Sequence, residues 1–331
     1  MQILRDTKID FLRWRWHAMV LSVAIILTGV GLVATRGGLP LGIDFSGGTI
    51  VVMRFAAPVS EQQVRDAVAT IPGEKVVQKY GDAGDNEILV RLPQLIEEEA
   101  DFDLEQGANQ VLAAVRAANL GEFEVLSTEV VGPVIGKDLQ RKGIFATIAS
   151  LLGITVYIAL RFRFSFAVGA LAAAFHDVLV TLTFITLFNY ELSLNVVAAI
   201  LTITGYSVND TIVIFDRVRE NLRLTRREPL DKVINHSVNQ TLARTVITSG
   251  TTGLAVLALF LFGGEVLEGF AFTMLVGIIA GTYSTVFIAS AVAVVLSKRQ
   301  GPGAKAAAEP PAPGAPAAKS GRRPSRRARA S

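Results

Sequence analysis

Residues 199–219 read AILTITGYSVNDTIVIFDRVR. Most of this stretch is apolar and rich in β-branched residues, as in a helix that crosses a bilayer, yet Asn209 and Asp210 lie inside it. A carboxylate at membrane depth costs about 2.5 kcal/mol or more, so it is retained where it lines a cavity or pairs with another group. The stretch therefore predicts a membrane-spanning helix whose Asp210 handles an ion. The alternative is an aspartate near a helix end that reaches interfacial water.

The composition of the whole chain agrees with a membrane protein. Of its 331 residues, 51% are hydrophobic, which is typical of polytopic membrane proteins rather than of soluble domains. The chain has no cysteine, which excludes disulfide bonds and thiolate metal sites. It also lacks a GxxxxGK[ST] motif, so we expect no direct use of ATP. No catalytic or metal-ligating group of residues is predicted.

Six apolar runs are long enough to span a membrane as helices. They cover residues 18–35, 143–160, 166–188, 193–215, 242–262 and 269–296. The first run could instead be a cleaved signal peptide, but it is long for one and no A-x-A-like cleavage site closes it. We therefore predict an uncleaved first span.

Lysine and arginine predict the orientation of these spans. They are frequent in residues 1–17, in the short loop 161–165, in the loop 216–241 and in the tail 297–331, whereas the opposing short loops carry only Glu191, Glu265 and Glu268. Under the positive-inside rule, both termini are cytoplasmic and residues 36–142 form a domain on the outer side. The basic, Ala/Pro-rich tail 297–331 cannot build a core, so we expect it to be disordered. Its basic end could bind anionic lipid or ribosomal RNA. The alternative is a solvated tail whose positive charge only helps to keep this end in the cytoplasm.

Residues 36–142 alternate between strand and helix patterns. Strand-like segments cover 48–56, 74–80, 87–92 and 123–131, and helix-like segments cover 60–71 and 103–119. The first helix has a start signal, a Ser60 cap with Gln63 at capping-box spacing, followed by apolar Val64, Val68 and Ile71. The order βαββαβ predicts a ferredoxin-like α+β domain.

Two other spans also carry charged side chains. His176 and Asp177 lie near the middle of the third span, and Arg244 lies near one end of the fifth. The fourth and fifth spans run in opposite directions, which places Asp210 and Arg244 at similar depth. An Asp–Arg pair is the cheapest way to hold both charges there, and only its aspartate can titrate. We therefore predict that Asp210 and Arg244 couple proton movement to a change of shape.

Further polar side chains could form a relay around this pair. The candidate relay residues are Asp177, His176, Asn209 and Thr248. Polar residues also recur on one face of the fifth span, at positions 241, 244, 248, 251 and 252. The alternatives are local, since a threonine hydroxyl in a membrane helix often bonds the carbonyl four residues earlier. His176 can likewise serve only as a hydrogen-bond partner between helices.

Several stretches of the sequence match one known family, in order along the chain. They are LGIDFSGGT at 41–49, VGPVIGKDLQRKG at 131–143, AFHDVLVT at 174–181, GYSVNDTIVIFDRVREN at 205–221 and INHSVNQTLARTVITSGTT at 234–252. Together they resemble the SecF family, the smaller subunits of bacterial SecDF protein-export membrane complexes. This family belongs to the resistance–nodulation–division superfamily of proton-driven transporters. The resemblance runs from about residue 9 to about residue 297.

The resemblance implies a polytopic α-helical membrane protein with six transmembrane helices and a periplasmic ferredoxin-like domain between the first and the second. It implies the bacterial inner membrane as location, SecD and the SecYEG channel as partners, and protons rather than a bound cofactor. It also implies that the proton-motive force helps a translocating preprotein leave on the periplasmic side. No nucleic-acid partner and no enzyme activity are expected, and membrane lipids surround the spans.

The same resemblance marks individual residues as functional. They are Asp210 of the VNDT motif, Arg244 of the ART motif, and the family motif at Asp44, Phe45, Gly47 and Gly48. The two glycines of that motif also have a local explanation, because glycine permits a tight turn into the first strand.

Two other function classes fit parts of the pattern. One is half of a proton-driven small-molecule efflux pump, although a domain of about one hundred residues at 36–142 leaves little room for a drug pocket. The other is an intramembrane aspartyl protease with Asp177 and Asp210 as its dyad, which requires the two carboxylates nearly to touch. If Asp210 and Arg244 couple proton movement to export, we expect glycines in 37–42 and 132–143 to let the domain swing as a rigid body.

Overall fold

The structure is a computed structural model that describes residues 7–72, 75–81, 84–93, 106–225 and 228–299. The helices of this part of the chain are α1 (Arg15–Thr35), α2 (Ile43–Ser46), α3 (Glu61–Ala67), α4 (Gln106–Ala117), α5 (Pro133–Arg161), α6 (Phe164–Leu187), α7 (Leu194–Leu224), α8 (Leu230–Phe262), α9 (Glu265–Ser284) and α10 (Ser290–Arg299). The strands are β1 (Gly48–Phe55), β2 (Val76–Tyr80), β3 (Glu87–Pro93) and β4 (Phe123–Val131). The tail 297–331 was predicted to be disordered, but its first three residues, 297–299, belong to helix α10. The rest of the tail, from position 300 onward, lies outside the described part.

Six helical segments are long and apolar enough to cross a membrane, which confirms the predicted number of transmembrane helices. The first includes a short 3-10 turn before α1, and the last joins α9 to α10 through a π-helical turn, Thr285–Ala289. The segment 216–241, predicted as a loop, is mostly helical, because α7 continues to Leu224 and α8 begins at Leu230. Apolarity marks only the part of a helix inside the membrane, and residues with high helix propensity such as Arg, Glu and Leu extend it further.

The sheet domain, defined as residues 36–132, contains an antiparallel sheet with the strand order β2-β3-β1-β4. This order and the βαββαβ sequence of elements are those of a ferredoxin-like fold, as predicted. Helices α3 and α4 cover one face of the sheet, and the core between them includes the fully buried side chains Val51, Val64, Val90 and Val111. Residues 103–105, predicted to begin the second helix, lie outside the described part.

Helix α3 begins where its sequence signals predict. The Ser60 hydroxyl accepts a hydrogen bond from the Gln63 backbone N–H at 3.3 Å, and the Gln63 side chain accepts one from the Ser60 N–H at 2.9 Å. This reciprocal capping box satisfies donors that a helix start leaves free.

Helices α6, α7 and α9 form the interior of the membrane bundle, while α1, α5 and α8 lie further outside. Small residues allow α9 to approach α7 closely: a Cβ atom at Gly281 would lie 2.8 Å from the Ser207 Cβ, and one at Gly277 would collide with Ile203. These two glycines therefore have a packing role, because they let α9 approach α7 closely.

The glycines at the two tethers of the sheet domain have different environments. Gly37 and Gly38 have positive φ angles of 76° and 154° and open space around them. Gly42 and Gly136, in contrast, are packed tightly, since a Cβ at either would lie 3.1 Å from a backbone oxygen of Leu192 or Phe45. The expected hinge is thus restricted at these two packed positions, and the swing itself stays a prediction.

Candidate functional site

Asp210 lies on the side of α7 that faces α8 and is only 5% exposed. Its Oδ2 atom is buried without a hydrogen-bond partner, and so is the hydroxyl of Thr245 on α8. Thr245 and Arg244 are the neighbours whose polar groups act on the Asp210 carboxylate. Because a buried, unpaired carboxylate oxygen is costly, the protonation state and surroundings of Asp210 are sensitive to any shift between α7 and α8.

The predicted ion pair between Asp210 and Arg244 is not formed. Among the described residues the two side chains make no salt bridge, and Arg244 is exposed while its neighbour Thr245 is buried. The two residues are at similar depth, as expected, but successive helix positions are rotated by about 100°. It is Thr245 that points to α7, and Arg244 turns to the outside of the helix pair.

His176 and Asp177 form a buried polar network that connects several helices. The Asp177 carboxylate bonds the His176 Nδ1 at 2.9 Å and accepts hydrogen bonds from the hydroxyls of Ser207 at 2.5 Å and Ser284 at 2.9 Å. The other ring nitrogen of His176 lies 2.8 Å from the Ser22 hydroxyl. These contacts tie α6 to α1, α7 and α9, which matches the alternative in which His176 bonds between helices.

The other relay candidates lie apart from this network. Asn209 and Thr248 are exposed, and the Thr248 hydroxyl donates to the Arg244 carbonyl four residues earlier at 2.9 Å. Asp177 and Asp210 make no contact that could form a shared-proton dyad, because the hydrogen bonds of Asp177 go to His176 and to two serines. Ser207, which donates to Asp177, nevertheless lies one helical turn from Asp210 on α7. Asp177 therefore contacts the same helix that carries Asp210. A relay role for these residues stays a prediction.

One side of the α7–α8 pair is exposed and unusually polar for a membrane helix surface. The antiparallel helices α7 and α8 contact each other through Asp210 and Thr245. In this arrangement the residue before each contact residue points to the same side of the helix pair, so Asn209 and Arg244 lie on one side. We call this surface the open polar face. Its exposed polar residues are Thr202, Asn209, Arg244, Thr248 and Thr251, and it also includes the exposed Gly205 and Ile247.

The family motif lies where the sheet domain meets the membrane helices. Gly47 and Gly48 have φ angles of 73° and 138°, so glycine is needed for the turn from α2 into β1. Phe45 is 5% exposed and packs beside Gly136 and Gly143 of α5. The Asp44 carboxylate accepts a hydrogen bond from the backbone N–H of Leu194, the first residue of α7, at 2.8 Å.

Sequence reasoning missed the residues that surround this motif. Arg91 of β3 forms an ion pair with Glu191, in the loop between α6 and α7. In the same loop Tyr190 donates to Glu268 of α9, and burial followed by this hydrogen bond raises the pKa of the Tyr190 phenol, which keeps it protonated as a donor. No local pattern marks these residues, because each partner lies far away along the chain.

Comparison with known proteins assigns the family. Residues 110–299 match the family described as protein export membrane protein SecD/SecF, C-terminal, and residues 32–59 match the SecD/SecF GG motif. A protein translocase subunit SecF from Rhodothermus marinus is 40% identical, over 90% of this chain and 96% of the relative. The chain belongs to the SecF family. The SecF of Escherichia coli O157:H7 is 39% identical, over 88% of each chain.

Solved structures show the same relationship. The crystal structure of SecDF, a translocon-associated membrane protein from Thermus thermophilus, matches with a TM-score of 0.78 and 35% identity over 90% of this chain. SecDF in its super-membrane-facing form matches with a TM-score of 0.66 and 36% identity. This SecF-family chain spans 40% of either SecDF chain, so the rest of SecDF has no counterpart in it. The matched segments include both the motif at Asp44 and the carboxylate at Asp210.

Proposed function

We propose that this chain couples the proton-motive force to Sec protein export, together with SecD, and assists the translocation and release of preproteins on the periplasmic side. Protons are its only cofactor, and SecD, the SecYEG channel, the preprotein and the surrounding lipids are its partners. The proposal assigns no enzyme activity and no nucleic-acid partner.

The distribution of charge supports an inner-membrane location with both termini in the cytoplasm. Arg161, Arg219 and Arg223 lie at one end of the helix bundle, whereas Glu191 and Glu268 lie at the end that carries the sheet domain. Under the positive-inside rule, the arginine-rich end is cytoplasmic and the sheet domain is periplasmic.

The observation that carries the proposal is the buried Asp210 carboxylate in a membrane-spanning helix, with one oxygen unpaired and a guanidinium nearby. Protonation removes its charge and changes its interaction with Thr245 and Arg244, so the preferred packing of α7 against α8 changes with it. Moving one elementary charge through the membrane field is worth about 2.3 kcal/mol per 100 mV, which biases a two-state rearrangement by more than tenfold.

The open polar face supports SecD as the partner in the membrane. A guanidinium with several hydroxyl and amide groups is costly against lipid, and such residues in membrane helices usually face another helix or a water-filled cavity. Gly205 on the same face permits a close approach of helices. We propose that SecD covers this face and that protons reach Asp210 along it.

The test is export by inverted membrane vesicles with and without a proton gradient. Asp210→Asn keeps the size and the hydrogen-bonding capacity of the side chain but cannot release a proton. We expect it to abolish gradient-stimulated export while the protein still inserts and co-purifies with SecD. The matched control is Asp216→Asn, on the half-exposed end of the same helix, which should retain stimulation. Normal stimulation by Asp210→Asn would rule out the proposed coupling.

A further inference from the structure

Main-chain hydrogen bonds connect the sheet domain to the loop that precedes α7. The Leu192 N–H donates to the Pro40 carbonyl at 2.6 Å, and the Gly42 N–H donates back to the Leu192 carbonyl at 2.9 Å. Arg36 adds a hydrogen bond to the Thr186 carbonyl at 2.5 Å, in the last turn of α6. The loop 188–193 is therefore attached to the base of the sheet domain through Leu192, and the end of α6 is attached through Arg36.

Arg91 is the side chain at the centre of this attachment. It is only 12% exposed and donates to the Glu191 carboxylate, to the Leu41 carbonyl at 2.8 Å and to the Ser46 hydroxyl at 3.2 Å. Among the described residues, Arg91–Glu191 is the one ion pair that joins the sheet domain to the membrane helices. A guanidinium can serve three acceptors in one plane, which an ammonium group cannot reproduce.

The same attachment includes the first turn of α7. Leu194, the first residue of α7, donates its N–H to the Asp44 carboxylate, and Val196 donates to the Ser193 hydroxyl at 3.3 Å. A carboxylate at a helix N-terminus is favoured by the helix dipole as well as by the hydrogen bond. The sheet domain thus supplies part of the cap of the helix that carries Asp210.

Asp210 lies on the same continuous helix as this cap. It lies 16 positions after Leu194, which corresponds to about 24 Å of helix. Since α7 is helical throughout and packed on both sides, a displacement at Asp210 moves its first turn as well. What that displacement does to the sheet domain depends on how firmly the first turn is attached.

We propose that Arg91 is a positioning residue that fastens the sheet domain to the start of α7, so that the state of Asp210 is transmitted to the sheet domain. The attachment acts as one unit, with Arg91 binding the loop and Asp44 capping the helix. The proposal rests on the proposed function of Asp210 and adds the route by which its effect leaves the membrane.

The first experiment measures coupling without export. Hydrogen–deuterium exchange of residues 188–198 and of α2 is compared in the purified complex with SecD for the parent chain, Asp210→Asn, Arg91→Ala and the double variant. We expect Asp210→Asn to change exchange in these segments about tenfold in the parent chain and to leave it unchanged when Arg91 is alanine. An equal response in both backgrounds would overturn the proposal.

The second experiment measures gradient-stimulated export in vesicles. Arg91→Ala should reduce the stimulation about tenfold, and Glu191→Gln should also reduce it. The double variant should be no worse than Arg91→Ala alone, because the ion pair with Glu191 is already lost in that variant. Gradient-independent export and binding of SecD should persist. The matched control is Lys142→Ala, which removes a 71% exposed cation at the same end of the bundle and should have no effect.

The two experiments separate the possible failures. If Asp210→Asn abolishes stimulation but Arg91→Ala and Glu191→Gln do not reduce it, the proton site is correct and the attachment is not its route. If Asp210→Asn leaves stimulation intact, the proposed function fails, and the exchange comparison alone then decides for or against the attachment. If Arg91→Ala does not accumulate in the membrane, Arg91→Lys replaces it, since lysine keeps the charge but cannot bind all three acceptors.

Discussion

The two buried aspartates of the bundle differ in how their oxygens are satisfied. Asp177 bonds His176, Ser207 and Ser284, so its carboxylate joins helices together. Asp210 has an oxygen without any partner. A satisfied buried network stabilises one arrangement of helices, whereas an unsatisfied group gains from a rearrangement that supplies a proton or a partner. We therefore propose a structural role for Asp177 and a responsive role for Asp210.

This difference predicts that Asp177→Asn lowers stability. An amide accepts through one oxygen only, so at least one hydroxyl or the His176 ring loses its acceptor, and we expect a loss of about 1–3 kcal/mol in the free energy of unfolding. Unfolding of the detergent-solubilised protein by SDS, followed by circular dichroism, measures this. Asp138→Asn, on the exposed surface of α5, is the control and should change stability by less than about 0.5 kcal/mol. Equal stability of both variants would mean that the network contributes nothing.

At the scale of elements, the structures that depend on neighbouring residues could be predicted from the sequence. Contacts between segments distant along the chain could not. The Ser60 cap and the buried spacing of Val64 and Val68 fix α3, because capping and amphipathic burial depend on neighbouring residues. The depth of a residue along a span was also predictable, but the rotation of α8 about its own axis was not. This rotation decides which of two consecutive residues faces α7, and it places Thr245 rather than Arg244 against Asp210. The contact of Arg91 with Glu191 joins residues 100 positions apart and has no local signature.

The close contact of α9 with α7 predicts different outcomes for glycines that look alike in sequence. A methyl group at Gly281 meets Ser207, the residue that donates to Asp177, so Gly281→Ala should separate the helices and cost about 1–3 kcal/mol. Gly153 on α5 has nothing within 4 Å, so Gly153→Ala should be neutral or slightly stabilising. SDS unfolding of both variants provides the comparison. If both alanines are tolerated equally, the close packing at Gly281 does not limit the bundle.

At the scale of the whole molecule, the sheet domain and the membrane helices are joined at two levels. Chain tethers connect them at both ends of the domain, and the attachment at Arg91, Asp44 and Leu192 connects them again in space. A rigid-body swing about the tether glycines would have to break these bonds, including two main-chain hydrogen bonds and an ion pair. We therefore expect the base of the sheet domain to remain docked on its own helices while the docked unit moves relative to SecD.

A disulfide between positions 41 and 192 tests this expectation, because the chain has no cysteine of its own. Leu41 and Leu192 are paired in a parallel β-bridge, and neighbouring strands lie about 5 Å apart, within the range that a disulfide spans. With Leu41→Cys and Leu192→Cys combined, oxidation should leave gradient-stimulated export near its reduced level, since the bond only fixes a contact that persists. A disulfide between the sheet domain and the outer domain of SecD should instead stop export on oxidation and restore it on reduction. Loss of export on oxidation of the 41–192 pair would show that the base must undock, and the moving boundary would then lie between the sheet domain and α7 rather than at the surface facing SecD.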